Sequence, residues 1–139
     1  MPASELDILN KVRQWLRYGD EDLLLARHGL TLKSSAPYRL IGYHAQQCAE
    51  KYLKAYLVFR SIDFPFTHNL SRLIELARQD RDWPDAILEA EALTPYAVTA
   101  RYPVEDEPVS AEEADCAIAI AEQTRQLVRQ ALVEAGVDL

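Results

Sequence analysis

His44, Gln47, Lys51 and Lys54 recur at three- and four-residue steps, the spacing that stacks side chains on one face of an α-helix. Two ammonium groups, an imidazole and an amide on one face can converge on an anionic phosphate. The same residues also have a bland reading, in which His44 and Gln47 hydrogen-bond inside a bundle and the lysines are solvated. Glu50 precedes Lys54 by four residues, the spacing of an ordinary surface ion pair. Thr67 and His68 either cap and orient the next helix or bring His68 up to this polar stripe. Arg101 and Tyr102 form a third group. A guanidinium clamps phosphate in a bidentate manner and a tyrosine ring stacks a base or carries a hydrogen bond. Their structural alternative is an ion pair from Arg101 to Glu105 or Asp106, with Tyr102 packed under the loop. The nucleotide- or phosphate-binding set read from the residues is therefore His44, Gln47, Lys51, Lys54, His68, Arg101 and Tyr102.

Metal chemistry is not indicated. His28, His44 and His68 include no pair at i,i+4, and Cys48 and Cys116 form no CxxC or CxxH spacing. Both cysteines read as small core hydrophobes, and neither a metal nor a cofactor is expected. The net charge of -7 disfavours strong nonspecific binding to nucleic acid, which rests on neutralising phosphates. The charge is uneven: residues 1–60 hold nine Lys/Arg against six Asp/Glu, and residues 61–139 hold six against sixteen. A local basic face is compatible with the acidic total.

These side chains need helices to position them. Glycine is scarce (4 of 139 residues) and good helix formers abound. Ser4 reads as the N-cap of a first helix running to about Leu32, with Leu6, Leu9, Val12, Leu16, Leu23, Leu24 and Leu30 as its apolar stripe. Lys33 to Pro37 is a connecting loop. Between Pro37 and Arg60, Ile41, Ala45, Cys48, Tyr52, Ala55, Tyr56 and Phe59 fall within a sector about 100° wide. The polar stripe lies on one flank, and Tyr43, Gln46, Glu50, Leu53 and Leu57 on the other. A helix patterned on so many faces is central, or contacts a second chain.

Thr67 is expected to cap a short third helix carrying Leu70, Leu73, Ile74, Leu76 and Ala77. A fourth helix carries Ile87, Leu88, Leu93, Tyr96, Ala97 and Ala100, and Pro95 predicts a kink or break near Leu93. After the acidic loop of residues 104–109, Ser110 and Glu113 form a capping box for a long last helix through Ala114, Ala117, Ile118, Ala121, Leu127, Val128, Ala131 and Leu132. No segment alternates like a strand. The expected architecture is one all-α domain over residues 1–139, an up-and-down four-helix bundle with one additional short helix. No apolar run reaches the roughly 18 residues of a membrane span. The N-terminus lacks the succession of a signal peptide, so a cytoplasmic protein is expected.

The stretch Gly42-Tyr43-His44-Ala45-Gln46-Gln47-Cys48-Ala49-Glu50-Lys51-Tyr52-Leu53-Lys54-Ala55-Tyr56-Leu57, followed by Thr67-His68-Asn69-Leu70 and later by Ala100-Arg101-Tyr102-Pro103, resembles the signature of HEPN domains. The resemblance covers nearly the whole chain and implies a five-helix, commonly dimeric fold. Small stand-alone members of this kind are similar to proteins encoded beside a minimal nucleotidyltransferase, with which they form two-component, toxin–antitoxin-like modules. Many relatives are metal-independent ribonucleases whose motif is an arginine, four to six residues, then a histidine. Arg101 matches that arginine. Asp106, Glu107 and Pro108 stand where the histidine belongs, and no histidine follows His68.

An imidazole exchanges protons near neutrality, whereas carboxylates there are ionised and repel an RNA phosphate. The resemblance, joined to the missing histidine, therefore implies a non-catalytic, homodimeric HEPN partner of a minimal nucleotidyltransferase that contacts a nucleotide. The alternatives are a ribonuclease built differently around Arg101, with His44 or His68 supplied by the fold, and a purely structural helical adaptor.

Overall fold

The computed structural model describes residues 3–99 and 108–139. Among these residues all regular structure is helical, as the sequence predicts: α1 (Ala3–Leu30), α2 (Tyr38–Phe59), α3 (Leu70–Asp80), α4 (Thr94–Thr99) and α5 (Ala111–Glu134). Two 3₁₀ segments, Lys33–Ser35 and Asp85–Leu93, join them. Pro95 sits in the first turn of α4, where its missing N–H costs nothing, and the chain changes from 3₁₀ to α beside it. The break expected near Leu93 is thus present, but most of the expected fourth helix is 3₁₀.

The centre of the fold is α2, which packs against α1, α3, α4 and α5. Ile41, Ala45, Cys48, Tyr52, Ala55 and Tyr56 of its predicted stripe are all buried, and so are Leu53 and Leu57 of the flank. Apolar side chains on two faces demand two packing partners, and α1 and α5 supply them. The closeness of α1 to α2 depends on Gly19, since a Cβ there would lie 2.8 Å from the Tyr52 ring. The glycine that looks like an interruption is what admits the tyrosine.

The segment after α2 departs from simple alternation of direction. Ser61 takes a left-handed conformation (φ 56°) and Ile62 N–H returns to the Leu57 carbonyl at 2.9 Å, closing the helix end and turning the chain back. Residues 61–69 then run back along α2, bringing Phe64 to Lys54 and His68 to Glu50. α3 follows α2 in the same direction, so that Tyr56 near the end of α2 meets Asp80 at the end of α3.

Several local expectations are corrected. α1 already includes Ala3, which places Ser4 inside the helix, and it ends at Leu30. Leu6 and Leu24 are exposed, because Val12, Leu16, Leu23 and Ala26 occupy the inward face. Asn69, not Thr67, caps α3 by accepting from Ser71 N–H at 3.0 Å, while the Thr67 hydroxyl accepts from Asn69 N–H. Cys116 is exposed and only Cys48 belongs to the core. The Ser110–Glu113 capping box forms as predicted.

Candidate functional site

The α2 stripe faces α1 and the returning segment 61–69, and there every one of its polar groups meets a partner. His44 Nδ1–H donates to Asp22 Oδ1 at 2.8 Å, the tautomer an acceptor-only carboxylate requires, and Lys51 Nζ donates to Asp22 Oδ2 at 2.5 Å. One to three turns along, Glu50 accepts from Gln46 Nε2 at 3.0 Å, from His68 Nδ1 at 2.8 Å and from Lys54 Nζ at 3.0 Å. Gln47 Nε2 donates to Gln46 Oε1 at 2.7 Å, and Gln46 also reaches the His68 carbonyl at 3.2 Å. Lys54 lies 5.6 Å from the centres of both the Trp15 and Phe64 rings.

The lysines are therefore not simply solvated. Lys54 is buried, and the Lys54–Glu50 pair is an interior one, not a surface pair. His68 does come up to the stripe, with Glu50 as the link. Two carboxylates, Asp22 and Glu50, face two ammonium groups, Lys51 and Lys54, so with neutral imidazoles the cluster carries no net charge. Burial pushes the Glu50 carboxyl up, but hydrogen bonds from Gln46, His68 and Lys54, together with the Lys54 charge, hold it below its ordinary value. No buried side-chain polar atom among the described residues lacks a partner.

Both histidines are about a quarter exposed and oriented through Nδ1 by a carboxylate. A carboxylate–imidazole pair of this kind can accept or return a proton once a substrate is seated. Arg101 and Tyr102 lie outside the described residues, as do Glu105, Asp106 and Glu107. Among the described residues no group of three or more His, Cys, Asp or Glu side chains is placed to hold a metal ion.

Sequence reasoning missed Asp22, because its partners lie 22 and 29 residues away on another helix. It also missed Asp20. That carboxylate accepts from the Tyr52 hydroxyl at 2.5 Å and from Arg125 Nε at 2.8 Å, tying α1 and α2 to α5. Burial, followed by the bond to Asp20 and its charge, pushes the Tyr52 hydroxyl well above its ordinary pKa. The one available signal was an acidic triplet, Asp20 to Asp22, in the middle of an otherwise core-forming helix.

Comparison with known proteins agrees with this geometry. No curated protein matches the sequence. Among solved structures, TT1696 from Thermus thermophilus is similar, with 26% identity and a TM-score of 0.74 over 87% of this chain and 98% of that one. ST0689, described as an archaeal HEPN homologue, is similar with 29% identity and a TM-score of 0.68 over 87% of this chain and 97% of that one. The HEPN domain family is matched over residues 12–131, which include the whole of α2 and its polar stripe. The chain belongs to the HEPN domain family.

Proposed function

We propose that this HEPN protein is a non-catalytic, homodimeric partner of a minimal nucleotidyltransferase in a two-component module of the toxin–antitoxin kind. The observation that carries the reading is the neutralised stripe. His44, Lys51, Lys54 and His68 are engaged by Asp22 and Glu50, so they serve first as internal framework. Arg101 has no histidine downstream to complete the ribonuclease motif. In this reading nucleotide contact falls to Arg101 and Tyr102 together with Lys51, His44 and His68, each about a quarter exposed, while the buried Gln47 and Lys54 hold the framework.

Co-expression with the product of the neighbouring gene tests the partnership. A stable complex that co-purifies is the expected result, and the lack of any such gene or complex would sink it. ATP calorimetry tests nucleotide contact, with binding expected to fall in Lys51→Ala and Arg101→Ala.

A second reading, an altered ribonuclease, is favoured by the two carboxylate-oriented imidazoles. It requires RNA cleavage with a bell-shaped pH profile that is lost in His44→Ala, His68→Ala and Arg101→Ala. Cleavage by wild type no faster than buffer removes it.

A further inference from the structure

Asp20 and Asp22 are two residues apart on α1, about 200° around the helix, so they serve opposite sides of it. Asp22 serves the α2 stripe, whereas Asp20 faces α5. On the α5 side a hollow of about 280 Å³ opens between α1, α5 and the chain's last residues, with Arg13, Arg17, Asp20, Arg129, Asp138 and Leu139 among its lining. Arg13 and Arg17 are one turn apart on α1. Arg125 and Arg129 are one turn apart on α5. Arg13, Arg17 and Arg129 thus line the hollow together with Asp20, which Arg125 reaches from α5.

Elsewhere four arginines find acids: Arg27 pairs with Glu122, Arg60 with Asp80, Arg72 with Glu75 and Arg81 with Glu134. Beside the hollow Arg125 does so, with Asp20. Among the described residues, Arg13, Arg17 and Arg129 form no ion pair. Arg13 donates to the Asp138 backbone carbonyl at 3.2 Å, Arg17 lies 5.5 Å from the centre of the Tyr18 ring, and Arg129 stands near enough to the Tyr52 hydroxyl to favour its ionised form. Acids outnumber bases 22 to 15 in this chain, so a lack of carboxylates is not the reason. Three arginines line the hollow with the carboxylates of Asp20 and Asp138, and Asp20 is already paired with Arg125 beside it.

We propose that this hollow binds a pyrophosphate group, either free or at the end of a phosphorylated small molecule. Guanidinium forks match phosphate oxygens in bidentate fashion, and the three that line the hollow, two from α1 and one from α5, provide for two linked phosphoryl groups. The volume is at the lower edge of the 300–1,000 Å³ or so usual for organic ligands, which suits a compact anion. The site lies across α1 from the α2 stripe and does not rest on the nucleotidyltransferase reading.

The test is calorimetric titration of the whole protein with sodium pyrophosphate and, separately, with ATP, first at about 50 mM salt and then at higher salt. Wild type binds pyrophosphate. Arg17→Ala and Arg129→Ala each weaken it by about tenfold or more, while Arg72→Ala leaves it unchanged. Equal affinities for the two anions assign recognition to the phosphates alone, and tighter ATP binding assigns the source to a nucleotide's phosphate chain; both support the site. Because Arg129 also stands near Tyr52, its variant is checked for melting temperature, and Arg17→Ala decides if it is unstable. Three results overturn the proposal: no binding of either anion at millimolar concentration, affinity unchanged in Arg17→Ala, or binding lost in Lys51→Ala or Arg101→Ala but kept in both hollow variants. Failure of the partner complex leaves this site standing, and failure here leaves the partnership standing.

Discussion

Glu50→Gln preserves the shape of a side chain that is only 3% exposed and removes its charge. Three donors point at the carboxylate, from Gln46, His68 and Lys54, all within 3.0 Å. Without it, the ammonium of Lys54 is enclosed between two aromatic rings and has no counter-charge. The ring contacts exist in wild type too, so they cannot compensate. Breaking a buried pair by removing one partner costs about 3–5 kcal/mol. We expect the lower part of that range, about 3 kcal/mol, because the amide oxygen can still accept one of the three donors.

Urea unfolding followed by circular dichroism should show a lower midpoint with an unchanged slope. The melting temperature should drop by about 10 °C. Glu50→Gln combined with Lys54→Met removes both charges and should be less destabilised than Glu50→Gln alone. A single-variant loss under about 1 kcal/mol, the value of an exposed pair, would refute the reasoning. So would a double variant in which the two losses simply add.

The pH dependence gives the same test a second readout. The Glu50 carboxyl is held below its ordinary value of 4.5 in the fold, so the unfolded chain takes up its proton first as pH falls. Its contribution is therefore complete above about pH 4.5 and is lost as acid is added below it. The stability gap between wild type and Glu50→Gln should narrow on acidification, and a gap that widens would contradict the assignment.

Two further outcomes are expected. In Gly42→Ala the new Cβ lies 2.7 Å from Tyr96 Cδ1, so an overpacking cost of about 1–3 kcal/mol outweighs a helix-propensity gain of about 1 kcal/mol and the melting temperature falls; an unchanged or higher value would count against this packing. A thiol-reactive disulfide reagent should titrate one cysteine in the folded protein, the exposed Cys116, and two after denaturation, because burial, with added repulsion from Asp20 and Asp22, pushes the Cys48 thiol up to about 12.

What was legible in the sequence followed from short-range periodicity. The α2 stripe and its central place could be read because apolar residues at helical spacing on two faces leave few other arrangements. Pro95 marked the break because its effect is local. Where expectation failed, a competing local choice was usually at hand. Thr67 and Asn69 are both cap-forming residues two positions apart, and their relation was decided by the chain's return along α2. Cys116 lies about 200° around α5 from Ala114, so strict use of the period would have put it outside. Nothing local announced that residues 61–69 double back, because that path depends on Phe64 and His68 finding partners on α2.

The candidate site shows the same division more sharply. Taken alone, His44, Lys51, Lys54 and His68 look like an anion cradle, and residue types and spacing on one helix can say no more. The sign of the local field depends on Asp22, contributed by α1, and on whether Glu50 turns inward; both carboxylates do engage the stripe. Conversely, α1 and α5 each carry arginines that look like ordinary surface solubilising charges. Only their meeting around Asp20 leaves three of them without a carboxylate partner among the described residues of an acidic protein. Charge bookkeeping along one helix therefore misplaced the excess of positive potential: it is cancelled where cations line up in sequence, and it survives where two helices bring them together.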